Sequence, residues 1–201
     1  MAAYTYKGSQ IVTPFTIFSN QPVYEVQTVS LKTQRSSQNV QRWEISFTTV
    51  NTEETAADML VGLVDNIDTV ETTVMPQLPS AQLSTSTVTL RPNVLHVAGS
   101  TSIVLNTTST LAGDILKKGT FVQFDNHDKI YMVTTETILS GATSTIGIFP
   151  ALRQDITTST NLNINGAVSF KHLRSIDTMS GITFNDGVLS SPGTITLIEA
   201  L

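Results

Sequence analysis

Between Gln41 and Thr49 the chain alternates apolar and polar residues: Trp43, Ile45 and Phe47 share one face, and Arg42, Glu44, Ser46 and Thr48 the other. A period of two predicts a half-buried antiparallel strand. The run Val23–Leu31 is extended in composition, and the polar loop Lys32–Asn39 would join the two as a long hairpin. The period then lengthens. Ala56, Met59, Leu60, Leu63, Val64 and Ile67 recur at spacings of three and four, which predicts one amphipathic helix over about residues 52–71, its apolar stripe laid on a sheet. Asn51 with Glu54 three places later resembles a capping box, and Glu53 and Glu54 suit the positive end of the helix dipole. Gly62 costs a helix about 1 kcal/mol relative to Ala, which points to close packing against a neighbour.

Thr72–Ser86 contains Pro76 and Pro79 among Thr and Ser and reads as a connector. From Thr87 onward the pattern predicts short strands: Val88–Leu90, Val94–Val97, Ile103–Leu105, Phe121–Phe124, Ile130–Thr135, Thr145–Phe149, Val168–Phe170, Ile182–Phe184 and Thr194–Ile198. Asp186-Gly187 is a tight-turn signal, because both central residues of such a turn take positive φ. The predicted fold is mainly β, with antiparallel sandwich or barrel-like sheets and that one helix. A two-layer domain needs more strands than Tyr4–Val50 supplies. Residues 1–86 are therefore expected to form a sheet-plus-helix part completed by C-terminal strands in 166–201, with 87–165 as an inserted β unit.

Composition adds a bias toward assembly. The hydrophobic share is 40% but the charged share only 13%, about half the usual value. Thr and Ser fill about a quarter of the chain, and a hydroxyl-covered surface has little charge repulsion to keep copies apart. With a net charge of −5, a pI near 5.0 and no basic block, the sequence offers no stripe for releasing counterions from DNA. Cysteine is absent, which removes disulfides, zinc–thiolate sites and cysteine nucleophiles. MAAYTYKGSQ lacks the basic-then-apolar pattern of a secretory signal, and no apolar run approaches the roughly 18 residues of a membrane span. A protein made in a cytoplasm and staying soluble is the expectation.

Candidate chemistry concentrates in Asp125-Asn-His-Asp128, between Phe121–Phe124 and Ile130–Val133. Four such residues suit either a metal cage or a hairpin turn. A calcium loop of the EF-hand type would need more ligands, a glycine at its sixth position and a glutamate at its twelfth, and here the chain runs straight into a strand. The turn is the expected reading, with a four-residue loop. His96 and His172 have no ligand spacing with His127 or with each other. No G-x-S-x-G elbow or G-x-x-x-x-G-K loop occurs. Asp65, Asp68 and Glu71 follow the helix as generic carboxylates, a weak basis for a glycosidase. Asn106-Thr-Thr108 matches a glycosylation acceptor but reads as a loop. The expectation is no catalytic, cofactor-binding or metal-binding residues, and no enzyme.

A family resemblance rests on the order of several segments. Lys117-Lys-Gly-Thr-Phe-Val-Gln-Phe, Asp128-Lys-Ile-Tyr-Met-Val-Thr and Thr145-Ile-Gly-Ile-Phe-Pro-Ala-Leu-Arg153 resemble a run in phage tail proteins, with Thr120 where an aspartate is usual. Gln41-Arg-Trp-Glu-Ile-Ser-Phe, the helix start Thr52-Glu-Glu-Thr-Ala-Ala and the close Thr194-Ile-Thr-Leu-Ile-Glu-Ala-Leu201 fit the same pattern. The sequence is similar to distal tail and baseplate-hub structural proteins of tailed phages. That resemblance implies β-structure in a ring linking the tail tube to distal components, within the virion tail. It implies as partners other copies of the chain and other tail or baseplate proteins, with no sequence-specific nucleic acid, membrane or cofactor. A receptor- or carbohydrate-binding module of the virion is the alternative. Sugar platforms expose several aromatics, whereas aromatics here are 6% of residues and Trp43 sits on the apolar face of its strand. A hydrolase of cell-wall or capsule polymer rests only on the generic carboxylates.

Overall fold

The computed structural model describes residues 5–7, 9–37, 40–50, 53–65, 68–77, 90–106, 115–139, 142–176, 183–185, 188–191 and 193–201. The protein is mainly β, with antiparallel sheets and, among the described residues, one α-helix and a 3-10 turn at Asn165–Ala167. It divides into a terminal unit, Ala2–Glu71 with His172–Ala200, and a middle unit, Thr72–Lys171 with Leu201.

The N-terminal elements are β1 (Thr5–Tyr6), β2 (Ser9–Asn20), β3 (Val23–Gln27), β4 (Thr33–Ser37), β5 (Arg42–Val50), α1 (Glu53–Asp65) and β6 (Glu71–Val74). The middle of the chain supplies β7 (Arg91–Pro92), β8 (Ser102–Asn106), β9 (Ile115–Leu116), β10 (Phe121–Phe124), β11 (Ile130–Val133), β12 (Thr137–Ile138), β13 (Thr143–Phe149) and β14 (Leu162–Asn163). After them come β15 (Ser169–Arg174), β16 (Thr183–Asn185), β17 (Val188–Ser191) and β18 (Ile195–Glu199).

A six-stranded sheet is ordered β1-β2-β5-β18-β15-β6. Strand β5 is paired antiparallel on both edges, Ile45 facing Ile17 of β2 and Leu197 of β18. Its alternation is the one written in the sequence. Trp43, Ile45 and Phe47 are buried with Ile195 and Leu197, and Tyr6 meets Phe47 edge to face at 5.4 Å. Strand β2 has no counterpart among the predicted strands, because Pro14 breaks its pattern. Its register against β5 slips between Val12 and Thr16, across a residue with no N–H to give the ladder.

Three local expectations change in the terminal unit. Val23–Gln27 pairs with Thr33–Ser37 and not with β5. The connection closes with Leu31 N donating to Thr28 O at 2.8 Å, so part of the stretch read as a loop is a strand. The helix is shorter than 52–71. Asp68 is a bend and Glu71 opens β6, since Thr69, Val70, Thr72, Thr73 and Val74 are β-branched and favour extended backbone. The apolar stripe is also divided. Met59 is fully buried and Leu63 half-buried, whereas Leu60 is 41% and Val64 71% exposed. The proposed cap at Asn51, Ile67 and the Asp186-Gly187 turn lie outside the described residues.

The helix is held at its C-terminal end from a distance. Its last turn carries no basic residue, but the Arg174 guanidinium donates to Gly62 O at 3.4 Å and to Leu63 O, which meets both the unpaired carbonyls and the negative end of the dipole. The Lys7 side chain crosses Gly62, where an added Cβ would approach its Cδ to 2.6 Å, and pairs with Glu71.

In the middle unit the sheet order is β14-β10-β11-β13-β8-β7. Its two ends meet, because Leu162 N donates to Leu90 O at 2.8 Å just before β7. This nearly closed barrel is filled by one cluster that includes Leu90, Ile103, Leu105, Val122, Phe124, Tyr131, Val133, Ile146, Ile148 and Leu162. Strand β10 is buried on both faces. Val122 and Phe124 enter that cluster, and on the other side two glutamine amides bind backbone. Gln77 takes Phe121 N–H at 3.0 Å and donates to Phe121 O at 2.9 Å; Gln123 takes Ser169 N–H at 3.0 Å and donates to Ser169 O at 3.1 Å. Each amide substitutes for a strand partner, which satisfies buried peptide groups. Val94–Val97 is a loop with a single bridge at His96.

Phe47→Ala should cost about 3–5 kcal/mol through loss of burial and the cavity left behind, whereas Thr48→Ala on the opposite face should change stability by under about 1 kcal/mol. Chemical denaturation followed by Trp43 fluorescence compares them; equal losses would contradict the assignment of the strand's faces.

Candidate assembly surfaces and the polar turn

The segment Asp125–Asp128 connects β10 to β11. Gln123 pairs with Ile130, so six residues lie between the last paired positions, two more than a four-residue loop. Phe124, the last residue of β10, pairs on its other side with Leu162 of β14.

The turn's polar groups are directed apart, each onto a neighbour. Asp125 accepts from Asn161 N–H at 2.9 Å and from the Asn161 amide at 2.6 Å. Asp128 pairs with Lys171 at 2.9 Å. Asn126 donates to Asp155 O at 2.9 Å. His127 lies 2.7 Å from Asn126 Oδ1 through Nδ1 and 2.7 Å from Tyr131 Oη through Nε2. The tautomer follows from the next link. Tyr131 Oη accepts Arg153 N–H at 2.9 Å, leaving its own proton for Nε2, so Nδ1 carries the ring proton and donates to Asn126. Burial pushes the His127 pKa down, opposed by Asp128 and assisted by Arg153 and Lys129, so the ring is neutral at neutral pH. A wire of directed hydrogen bonds from Arg153 to Asp155 thus ties the turn to the loop after β13.

A cleft of about 360 Å³ opens beside this wire, lined by Asn126, His127, Asp128, Lys129, Arg153 and Gln154, with Leu201 also at its wall. Its imidazole has both nitrogens engaged and its carboxylate is paired. Among the described residues no group of three His, Asp or Glu side chains comes together in a way that could hold a metal.

The other histidines occupy separate places. His96 accepts Val104 N–H at 3.1 Å through Nε2 and exchanges backbone bonds with Ile156. His172, in the terminal unit, is 1% exposed beside Tyr6. Burial there drives its pKa to about 4, with Glu71 opposing and Lys7 assisting. Burial raises Tyr6 to about 12, Glu71 adding to the shift. Glu71 pairs with Lys7 and Asp68 is exposed. Asn106 ends β8, and residues 107–114 lie outside the described residues. Thr120 closes its turn by donating to Lys117 O at 2.7 Å, with Gly119 at φ +87°.

Comparison with known families bears on the middle unit. Residues 84–166 match the family model of the distal tail protein pb9, B domain. The match supports a phage distal tail protein, and with it a structural role in the tail. A comparison with curated proteins finds no match. The matched stretch contains the barrel, its polar turn and one surface that sequence reasoning missed. Val94, Leu95 and Val97 are exposed on a loop pinned by His96, by Ala98 N donating to Asp155 at 2.7 Å and by Gly99 N donating to Leu152 O at 2.7 Å. The sequence signal was present as an apolar run, but it reads equally well as a strand.

Two predictions follow the polar groups. Asp125→Ala should destabilise the middle unit by about 0.5–1.5 kcal/mol through loss of the Asn161 bonds, Asp125→Asn should cost less, and a chelator should leave the melting temperature unchanged; a chelator-induced drop would reverse the structural reading of the turn. The second concerns His172. Above pH 6.5 its ring is neutral both folded and unfolded. Between pH 6.5 and about 4 only the unfolded chain takes the proton, so stability falls as pH falls, by on the order of 3 kcal/mol, and below that window this contribution is flat. Trp43-detected denaturation of His172→Gln should show a shallower slope across the window, whatever its absolute stability.

Proposed function

We propose that this chain is a non-enzymatic ring subunit at the distal end of a phage tail, linking the tail tube to distal components. The terminal unit self-associates around the tail axis, and the middle unit joins a neighbouring tail protein. The observation that carries this reading is the match of residues 84–166 to a distal tail protein domain. Two further features support it. The surface is poor in charge, and both units expose apolar side chains on ordered elements, including Val94, Leu95 and Val97 in the middle unit. Such side chains on a rigid loop are pre-organised for a partner. A mildly acidic wall, from a net charge of −5, would also repel passing DNA.

A receptor- or carbohydrate-binding role draws support from the cleft beside Arg153, whose guanidinium has no ion pair among the described residues. Light scattering separates the readings. A concentration-dependent oligomer is expected for the ring subunit, and a strict monomer that binds host glycans would favour the alternative. Val94→Ser, Leu95→Ser and Val97→Ser combined should leave folding and self-association intact but deplete the protein from purified virions. Normal incorporation would remove the middle unit from the partner-facing role, and hydrolysis of peptidoglycan or glycan by the purified protein would end the structural reading.

A further inference from the structure

The helix α1 has two apolar faces. Met59 and Leu63 look inward, while Ala57, Leu60, Val61 and Val64 are all exposed. Their spacing of i, i+3, i+4 and i+7 gathers them on one arc of about 100°. A helix apolar on both sides belongs in an interior, and within the terminal unit only one side is covered among the described residues.

The same unit carries a second bare element. In the β3–β4 hairpin every residue of Val23–Gln27 is exposed, although neighbouring side chains point to opposite faces. Val23, Tyr24 and Val26 on the strand, and Val29 and Leu31 at the tip, are uncovered. A two-stranded hairpin standing alone is marginal in water, and among the described residues neither face of this one is covered. Charge distinguishes the two elements. The helix sequence carries Glu53, Glu54, Asp58 and Asp65 and no base. On the hairpin Glu25 and Arg35 pair at 2.8 Å, which leaves Lys32 beside the tip with no ion pair among the described residues.

We propose that the β3–β4 hairpin of one copy seats on the exposed α1 face of the next copy. Apolar meets apolar, and Lys32 meets an acidic helix. The occupant is a second copy because the same unit supplies both complementary surfaces. The two surfaces differ, so the contact is heterologous: each copy gives a hairpin to one neighbour and a helix to the other, which generates a ring wherever the rotation closes. This inference rests on the self-associating role proposed above and names the surfaces that carry it.

The test uses two variants of the full chain, each spoiling one surface: Val26→Asp with Leu31→Asp on the hairpin, and Leu60→Lys with Val64→Lys on the helix. Circular dichroism and thermal melts establish folding; should the helix variant fail to fold, Leu60→Ser with Val64→Ser takes its place. By light scattering wild type should be oligomeric and each variant alone monomeric at 21.7 kDa. Mixed, the two variants should form a 1:1 dimer that grows no further, because the helix of the hairpin variant and the hairpin of the helix variant are still intact. A wild-type oligomer that persists in both variants, or a mixture that stays monomeric, overturns the hairpin-to-helix assignment while leaving self-association standing. A wild type that is monomeric at every concentration overturns both.

Discussion

The pairing of β5 between β2 and β18 is the constraint on which the terminal unit depends. Ile45 is flanked by Ile17 from the N-terminal side and by Leu197 from the far end of the chain, so the core around Trp43 and Phe47 is incomplete until the C-terminal strand arrives. The whole middle unit is threaded between those partners. Long loop closure costs entropy only logarithmically in length, and a middle segment with its own filled barrel makes that closure easier to tolerate. Arg174 and Lys7 add fixings in the same region by reaching the helix that follows β5.

The middle unit satisfies its polar groups with side chains where strands run out. Gln77 and Gln123 act as one-residue strand partners for β10 and for Ser169. The wire through Arg153, Tyr131, His127, Asn126 and Asp155 fixes the long turn. A turn rich in Asp, Asn and His is therefore explained by the geometry it holds. Every one of its polar side chains has a partner within the unit, which is what a loop needs if it is to present a rigid surface.

Surface composition bears on the assembly proposed for both units. A chain with few charges and many hydroxyls meets little electrostatic opposition when copies approach, and many of the exposed large apolar residues fall on α1, on the β3–β4 hairpin and on the 93–98 loop, with others such as Phe18, Ile138 and Ile176 standing apart. Exposed apolar groups gathered in this way mark interaction sites more often than scattered ones do.

The sequence by itself determined the local periods: the two faces of β5, the presence and start of the helix α1, the pairing of Phe121–Phe124 with Ile130–Val133, and the mainly β class. Those are legible because side-chain direction alternates with period two in a strand and about 3.6 in a helix, whatever lies beyond. Position in space decided the rest. Strand β2 was hidden by Pro14, whose cost is absorbed in a slip of register that only a partner strand defines. The stripe on α1 could not be divided into covered and bare edges from spacing alone, because Leu60 and Leu63 are chemically alike and differ only in what stands opposite them. In the polar turn the residues were visible but not their roles, since Asn161, Asp155 and Lys171 are distant in sequence. Hydrogen bonds of that reach are specified by the fold, and no local pattern records them.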